Sequence, residues 1–220
     1  MATLYVVATP IGNLEDITLR ALRILNEVDI VLCEDTRVTK TLLERHRIQA
    51  KTISFHQHSE LEKTEEIFAL LKEGKNCALV SDAGTPGVSD PGNELVARVA
   101  QQFGQVQIVP IPGPSALAAA ASIAGFPMDR FVFMGFPPAK KGRKKFFEGI
   151  TTSQYPVIFY ESPYRIFKSL SELPQEAKVV VARELTKKFE TVYRGTVKEV
   201  ASQLKESNAI KGEFVIVVKS

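Results

Sequence analysis

The chain has 220 residues, of which 45% are hydrophobic and 24% charged, and this composition excludes an intrinsically disordered protein. At roughly 150 residues per domain, the length allows one large domain or two small ones, and either can form a core without disulfide or metal cross-links. The net charge of +3 is too small for a basic field over the whole surface, although it permits a local basic patch.

The first half of the sequence alternates apolar runs of strand length with segments of helical periodicity. We expect strands at 4–8, 29–34, 52–55, 77–82 and 106–111, and helices from about Thr18 and near 40–47, 60–73 and 92–103. This βαβα repetition predicts a mostly parallel sheet covered by helices. Ligands of such sheets bind at the loops that leave the carboxyl ends of the strands.

The pattern changes after a helix of small residues predicted at 115–124, because strands now sometimes follow one another directly. The runs AKVVVARE and ETVYRGT are joined only by a short link, LTKKF, which has the length of a hairpin connection and predicts a mixed sheet. We therefore expect an N-terminal α/β domain (1–112), an interdomain helix or linker (113–126) and a C-terminal α/β domain (127–220).

The cysteines and the apolar segments indicate the compartment. Cys33 and Cys77 lie in apolar runs far apart in the sequence, which predicts two buried thiols in a reducing environment rather than a disulfide. The first residues lack the pattern of a secretory signal. The longest uncharged stretch, 99–128, is broken by prolines and glycines well short of ~20 continuous apolar residues. We expect a cytoplasmic protein with no membrane segment.

The segment SDAGTPGVSDPG (81–92) carries the densest signal, with three glycines and two prolines between a strand and a helix. Glycines allow positive φ angles and can expose backbone amides and carbonyls to a ligand, while prolines hold the loop in one shape. The alternative is a rigid strand-to-helix turn. The loop has neither the Walker pattern nor G-x-G-x-x-G, so phosphate binding is not indicated.

Two further loops, ATPIGNLEDI (8–17) and CEDTR (33–37), follow the first two strands, and all three loops should share one edge of the sheet. Glu34, Asp35 and Arg37 can form an ion-pair cluster there. The alternative is a helix N-cap with acidic residues in the first turn, which explains Asp35 but not Arg37, because a cation near a helix start opposes the dipole.

Other candidate segments leave two interpretations open. In PGPSALAAAAS (112–122) a helix start with free amides could receive a carboxylate or a ribose hydroxyl, or could be an ordinary capped helix. The charges of FYESPYR (159–165) and ARELTKKFE (182–190) lie at strand ends, or form surface salt bridges. The basic KKGRKK segment is a solvated helix face or a patch that binds RNA phosphates; its residues are Lys140, Lys141, Arg143, Lys144 and Lys145.

Histidines do not predict a metal site. His56 and His58 form a pair, but no cysteine and no third histidine lies nearby in the sequence, so we expect no zinc. We expect His56 to contact the substrate cleft instead.

Six motifs, TPIGNLEDIT, CEDTR, SDAGTPGVSDPG, PGPSA, FYESPYR and ARELTK, occur in this order, and together they resemble the tetrapyrrole-methylase superfamily. The resemblance is closer to the members that methylate the 2′-oxygen of a cytidine ribose in small-subunit (16S) ribosomal RNA. It implies an S-adenosylmethionine-dependent enzyme with two α/β domains, usually a homodimer. In this fold a mostly parallel N-terminal sheet has helices on both faces, and a mixed-sheet α/β domain follows.

The resemblance also implies which residues bind the methyl donor, which would lie in the cleft between the domains. Carried over by position, the donor contacts are Pro10, Asp82, Gly84, Thr85, Ser115, Ala116, Tyr160, Ala182, Gly212 and Glu213. A ribose hydroxyl is a weak nucleophile, so a base and a cation should assist it. We expect Glu34 or Asp35 as the base and Arg37 or Lys187 as the cation. Ribosomal RNA or the assembled 30S subunit would be the partner.

Two other functions remain as alternatives at this point. The enzyme could methylate a tetrapyrrole or another small molecule, although the basic segment and the closer RNA-enzyme motifs disfavour this. It could also be a non-catalytic RNA-binding assembly factor, which the complete set of donor-loop residues disfavours.

Overall fold

The computed structural model describes residues 1–55, 61–90, 92–207 and 211–219. This described chain divides into two compact units, Met1–Ser115 and Ala116–Ser220, each with its own five-stranded sheet. The division falls inside the segment expected to link two domains, 113–126. The predicted domain bounds themselves stay a prediction.

The first unit alternates strands and helices as the sequence predicts. Its strands are β1 (Thr3–Val7), β2 (Ile30–Cys33), β3 (Lys51–Ser54), β4 (Cys77–Leu79) and β5 (Gln107–Ile111), and its helices are α1 (Leu19–Glu27), α2 (Thr36–Arg45), α3 (Leu61–Lys72) and α4 (Gly92–Gln102). The strand order is β3-β2-β4-β1-β5 and every pairing is parallel. The predicted mostly parallel sheet is therefore confirmed.

Helices cover both faces of this sheet because its strands are apolar on both sides. Successive residues of a strand point to opposite faces. Val31 accordingly packs with buried residues of α1 and α2, and the next residue, Leu32, packs with those of α3 and α4. Both strand residues are fully buried. The first unit thus has three layers, helix, sheet and helix.

The strand order creates one crevice at the carboxyl edge of the first sheet. β1 and β4 are neighbours, yet the chain leaving β1 goes to α1 on one face and the chain leaving β4 goes to α4 on the other. The two loops must therefore separate as they leave the sheet. Ligands of open α/β sheets bind at such a switch point, so the fold itself indicates where to look for a site.

The second unit contains a mixed sheet. Its elements are α5 (Ala116–Ile123), β6 (Val132–Phe133), α6 (Arg143–Thr151), β7 (Val157–Glu161), α7 (Ile166–Ser171), β8 (Lys178–Arg183), β9 (Thr191–Thr196), α8 (Val197–Glu206) and β10 (Phe214–Val218). The order is β6-β7-β10-β8-β9, with β6 and β7 parallel and the other pairs antiparallel. The predicted β8–β9 hairpin is confirmed. No helix within the described segments of the chain is long and apolar enough to cross a membrane.

Both cysteines are buried and free, as predicted. Burial raises the pKa of the Cys77 thiol to about 11, with a smaller contribution from the charge of Asp29, and burial likewise raises the pKa of Cys33. Because the thiolate is the reactive form, both side chains act as small apolar groups of the core.

Candidate functional site

Three loops meet at the carboxyl edge of the first sheet, as the sequence predicts. The loop after β1 bonds to the loop after β4 through Thr9 N to Gly84 O (2.9 Å) and Gly84 N to Thr9 O (3.0 Å). The loop after β2 joins them, because the amide of Asp35 donates to Oδ1 of Asp82 at 3.0 Å. The crevice at the switch point is therefore lined by segments that hydrogen bonds hold together.

Gly84 holds two loops together. Its φ angle is +85°, the left-handed region that the glycine content of this loop predicts. Its amide and carbonyl are both engaged with Thr9, and the hydroxyl of Ser81 also donates to its carbonyl at 3.3 Å. Both groups thus complete the bridge between the loops, and contact of Gly84 with a ligand stays a prediction.

Asp90 fixes the second half of the same loop. One of its carboxylate oxygens, Oδ1, accepts hydrogen bonds from the amide of Gly87 and, at 3.2 Å, from that of Gly92, the first residue of α4. A carboxylate at this position also interacts favourably with the helix dipole. The loop is thus tied to α4 at one end and to Thr9 at the other, and between them the side chain of Asp82 is exposed.

A cavity of about 280 Å³ opens beside Asp82. Its wall combines apolar side chains with a few hydroxyl and carboxylate groups, an arrangement typical of small-molecule sites. The lining residues are Thr9, Pro10, Leu14, Val38, Thr39, Thr41, Leu42, Ser81 and Asp82. The predicted donor residues Pro10 and Asp82 therefore border one cavity.

The hydroxyl residues of this cavity, Thr9, Thr39, Thr41 and Ser81, were not predicted as site residues. Thr9 donates its hydroxyl to the carbonyl of Ser81 at 3.0 Å and is nearly fully buried. Thr39 is also buried, one helical turn after Asp35. A signal was available for Thr39, which shares a helix face with Asp35 at i and i+4, whereas the pairing of Thr9 with Gly84 depends on residues far apart in the sequence.

The CEDTR segment forms both of the structures considered for it, a helix N-cap and an ion pair. Asp35 caps α2, accepting from the amide of Arg37 at 2.8 Å, and also pairs with the Arg37 guanidinium, with Nη2 to Oδ2 at 2.6 Å. These bonds from Arg37 hold the pKa of the Asp35 carboxyl at about 2. The Arg37 side chain itself is 89% exposed. It therefore presents a cation to solvent at the edge of the crevice.

Other predicted residues of the first unit lie near this crevice. Glu34 is half-buried at the end of β2, where it lies beside Ser81 and Asp90 in the wall of a second, very small cavity. Thr85 donates its hydroxyl to the carbonyl of Pro114 at 3.4 Å, which brings the SDAGTPGVSDPG loop next to Ser115. The predicted helix of small residues follows directly as α5, which begins at Ala116 in the second unit.

In the second unit, ARELTK and the turn before β10 form one ion cluster. Lys187 Nζ donates to Oε1 of Glu184 (3.0 Å) and to Oε2 of Glu213 (2.9 Å). Burial alone lowers the pKa of the Lys187 ammonium, but its bonds to Glu213 and Glu184 outweigh burial and raise that pKa above its ordinary value. Gly212, with φ +107°, leaves room for the Glu184 side chain, since a Cβ there would lie 2.5 Å from Glu184 Cγ. The cluster therefore connects the turn after β8 to the turn before β10.

Two predicted donor contacts lie on strands of the second sheet. Tyr160 is half-buried near the end of β7, with its ring against Phe133 and Phe136. Ala182 is fully buried in β8, paired with Val215 of β10. Their contact with a methyl donor stays a prediction, as does that of Gly212 and Glu213.

Arg143 is not part of an exposed basic patch, which corrects its predicted role in RNA binding. Only 6% of its side chain is exposed. Its guanidinium donates to Ser169 Oγ (2.8 Å) and to the carbonyl of Pro138 (3.2 Å), and it pairs with Glu172 at 2.7 Å. Its Nη1 also lies 4.0 Å from the fully buried carboxylate of Glu161. Because these partners hold the guanidinium in the core, it does not contribute to a surface that binds RNA phosphates.

The remaining basic residues of KKGRKK are exposed, and they lie partly outside the predicted helix. Lys140 and Lys141 precede α6, which begins at Arg143, while Lys144 and Lys145 lie in its first turn. Four lysines therefore remain as a predicted phosphate-binding surface. His56 lies outside the described residues.

Comparison with known proteins gives consistent matches over the whole chain. The sequence profile of the Tetrapyrrole (Corrin/Porphyrin) Methylases matches residues 3–201. The chain is 47% identical over 222 residues to the ribosomal RNA small subunit methyltransferase I of Escherichia coli O157:H7, a match that covers 98% of this chain and 77% of that protein. It is 42% identical to the protein of the same name from Thermotoga maritima, covering 99% and 98% of the two chains.

Solved structures with the same fold include enzymes with other substrates. A crystal structure of diphthine synthase superposes with a TM-score of 0.76 at 15% identity, covering 100% of this chain and 90% of that one. The cobalt precorrin-4 methyltransferase superposes with a TM-score of 0.70 at 21% identity, covering 99% and 94%. At this identity the likeness shows the two-unit α/β fold alone.

Proposed function

The chain belongs to the Tetrapyrrole (Corrin/Porphyrin) Methylases family, and on that premise we propose that it transfers a methyl group from S-adenosylmethionine to a cytidine ribose 2′-oxygen of small-subunit ribosomal RNA. The observation that carries the proposal is the crevice at the β1–β4 switch point, where Pro10 and Asp82 border a cavity. The names of relatives 42–47% identical over nearly the full chain support ribosomal RNA as the substrate.

The residues around the cavity suit the proposed donor. S-adenosylmethionine, when bound, supplies an electrophilic methyl carbon on a cationic sulfur. The exposed carboxylate of Asp82 can accept hydrogen bonds from ribose hydroxyls or an ammonium group, and the apolar wall beside Pro10 can hold uncharged parts of the molecule. We assign the donor to Pro10, Asp82, Gly84, Thr85 and Ser115 of the first unit, and the assignment of Ala116, Tyr160, Ala182, Gly212 and Glu213 rests on the resemblance alone.

The acceptor hydroxyl must lose a proton, and the predicted bases for this step are Glu34 and Asp35. A group with a pKa of about 2 is a poor proton acceptor, and Asp35 is held there by Arg37. In our proposal Glu34 therefore accepts the proton, and Asp35 orients Arg37. The exposed guanidinium of Arg37 stabilises negative charge on the ribose oxygen or holds a neighbouring phosphate. Lys187, already paired with two carboxylates, is the second candidate cation.

Single-turnover methyl transfer from labelled donor to small ribosomal subunits and to naked ribosomal RNA tests this function. Alkali-resistant label in a cytidine dinucleotide is the expected product, because 2′-O-methylation blocks cleavage at that position. Label in a tetrapyrrole precursor, and none in RNA, would assign the enzyme to a small-molecule substrate. Absence of saturable donor binding by calorimetry would identify a non-catalytic RNA-binding factor.

Four variants test the assigned roles in the same assay. Glu34→Gln and Arg37→Gln should slow the single-turnover rate about 10²-fold or more, and Asp35→Asn should slow it less because asparagine still caps α2. Lys187→Gln tests the second cation. Arg23→Gln is the matched control, since Arg23 forms an exposed pair with Glu27 on α1. Wild-type rates in all four site variants would remove these residues from the mechanism. The homodimer implied by the resemblance stays a prediction, which sedimentation can test.

A further inference from the structure

Three aromatic rings form a cluster at the ends of β6 and β7 in the second unit. Tyr160 lies between Phe133 and Phe136, edge to face with both, with ring centroids 5.0 and 5.4 Å apart. Phe136 is 51% exposed, although a phenylalanine gains stability from burial. Phe133, Phe136 and Tyr160 are called the aromatic cluster below.

The loop that carries Phe136, residues 135–138, is held in place from the core. The amide of Tyr160 donates to the carbonyl of Gly135 at 2.9 Å. Arg165 donates to the carbonyl of Pro137 at 3.0 Å, and Arg143 donates to that of Pro138 at 3.2 Å. Three of the four backbone carbonyls of this loop therefore have a specific donor. Hydrogen bonds therefore fix the backbone on either side of Phe136.

A buried carboxylate supports both arginines. The side chain of Glu161 is fully buried, its Oε1 lies 3.0 Å from Nε of Arg165, and its Oε2 lies 4.0 Å from Nη1 of Arg143. Its oxygens also accept from the amide of Ser162 and the hydroxyl of Ser169. Buried charge is costly, and here it serves to fix the two arginines that hold the loop.

The residues that follow Phe136 in the chain indicate which kind of ligand its exposed ring could bind. Lys140 and Lys141 follow the loop by two and three residues and are exposed, and the side chain of Lys144 is 92% exposed on the first turn of α6. An exposed aromatic side chain followed within eight residues by exposed lysines matches the two chemical parts of a single-stranded nucleic acid, the base and the phosphate.

We propose that Phe136 stacks on a base of single-stranded RNA while the neighbouring lysines hold the backbone phosphates. This inference rests on the proposed function, in which RNA is the substrate and Tyr160 contacts the methyl donor. Phe136 packs on Tyr160, the residue assigned to contact the donor. A base stacked on Phe136 would therefore be separated from Tyr160 only by the Phe136 ring. The aromatic cluster would then position the substrate strand.

A tryptophan variant gives a direct test, because the chain contains no tryptophan. Phe136→Trp creates a single fluorescent reporter whose emission a stacked base quenches. The probes are oligocytidylate of about eight nucleotides, within the usual length of about 4–16 that such surfaces bind, and an abasic oligonucleotide of equal length. We expect saturable quenching by oligocytidylate and none by the abasic strand. Quenching by both strands, or by neither while anisotropy shows binding, would overturn the proposal.

Affinity measurements provide the second arm. Phe136→Leu keeps an apolar side chain but removes the ring, so oligocytidylate should bind about tenfold more weakly, whereas Phe136→Trp should bind like the wild type. Tyr155→Leu is the matched control, since Tyr155 is another partly exposed ring beside a cation, Arg130, and it precedes β7 at the opposite end of the strand. Equal losses in Phe136→Leu and Tyr155→Leu would contradict a specific role for Phe136.

Two further readouts distinguish base stacking from self-association and from methyl transfer. Emission of Phe136→Trp that changes with protein concentration without RNA would identify a face for a second copy of the chain, and would overturn base stacking. Calorimetry with S-adenosylmethionine on the same variant tests the proposed function. Quenching without donor binding would support base stacking and reject methyl transfer. Donor binding without quenching would support methyl transfer and reject base stacking.

Discussion

Thr9 and Gly84 exchange two backbone hydrogen bonds, with N to O distances of 2.9 and 3.0 Å, although they are 75 residues apart in the sequence. They belong to the two loops that diverge from β1 and β4 toward opposite faces of the sheet. The bonds therefore close the base of the crevice and fix the position of Asp82, which lies two residues before Gly84 in the proposed donor loop.

Replacing Gly84 by valine should abolish donor binding. Valine rarely adopts a φ angle of +85°, and a Cβ at this position already meets Ile11 Cγ2 at 3.4 Å, so the loop must shift and the bridge to Thr9 must weaken. Calorimetry with S-adenosylmethionine measures the loss. Gly74→Val is the matched control, because Gly74 has the same φ of +85° with nothing within 4 Å of its Cβ position. Unchanged donor affinity in Gly84→Val would exclude this loop from the site.

Arg37 should control the titration of Asp35. The pKa of Asp35 lies at about 2 in the folded protein, below its ordinary value of 3.8, because Arg37 donates hydrogen bonds to the carboxylate. The stabilisation from this interaction is complete above about pH 4 and is lost as the pH falls through about 2. We expect Arg37→Gln to move the midpoint of the Asp35 carboxyl resonance upward in an NMR titration. Arg23→Gln, on another exposed pair, should leave that midpoint in place.

Arg143 and Lys144 are neighbours on α6 whose removal should affect stability very differently. Arg143→Met leaves the buried carboxylate of Glu161 without one of its cations, so the free energy of unfolding should fall by about 3–5 kcal/mol. Lys144→Met removes a largely exposed pair with Glu148 and should cost less than about 1 kcal/mol. Denaturant unfolding of the two variants measures the difference. Equal stabilities would mean that the buried arginine contributes no more than a surface one.

The lysines before α6 should contribute to the salt dependence of RNA binding. Removing one phosphate-binding cation from a single-stranded complex reduces the slope of log affinity against log salt by about 0.7. The double variant Lys140→Gln/Lys141→Gln should therefore flatten the slope by about 1.4 while donor affinity stays the same. The pair Lys72→Gln/Lys75→Gln, which changes the net charge equally in the first unit, should not alter the slope. An unchanged slope in both would identify Lys140 and Lys141 as solvated surface residues.

The architecture was largely predictable because its signals are local. Most strands of the first sheet are short apolar runs, and a helix start can carry a nearby polar cap, as Thr18 does for α1. Apart from the β8–β9 hairpin, the pairing within the second sheet was not predictable. β10 lies beside β7 and β8, and this choice depends on side chains that are far apart in the sequence.

In the candidate site too, local features were predictable from the sequence, and contacts between distant residues were not. A glycine-rich loop after a strand predicted the positive φ of Gly84, but its partner Thr9 could not be read from the pattern. The five basic residues of KKGRKK look alike in the sequence. Arg143 differs because its guanidinium is buried, where it donates hydrogen bonds to Ser169 and Glu172, 26 and 29 residues further on.

The order of the second sheet also constrains how the chain folds during synthesis. β10 lies between β7 and β8, so these two earlier strands each keep an unpaired edge until residue 218 has been translated and released from the ribosomal tunnel. The first sheet, by contrast, is complete at residue 111. Nascent chains arrested before β10 should therefore carry a formed first unit followed by a segment with exposed strand edges, which is the form of the protein most prone to aggregate and to recruit chaperones.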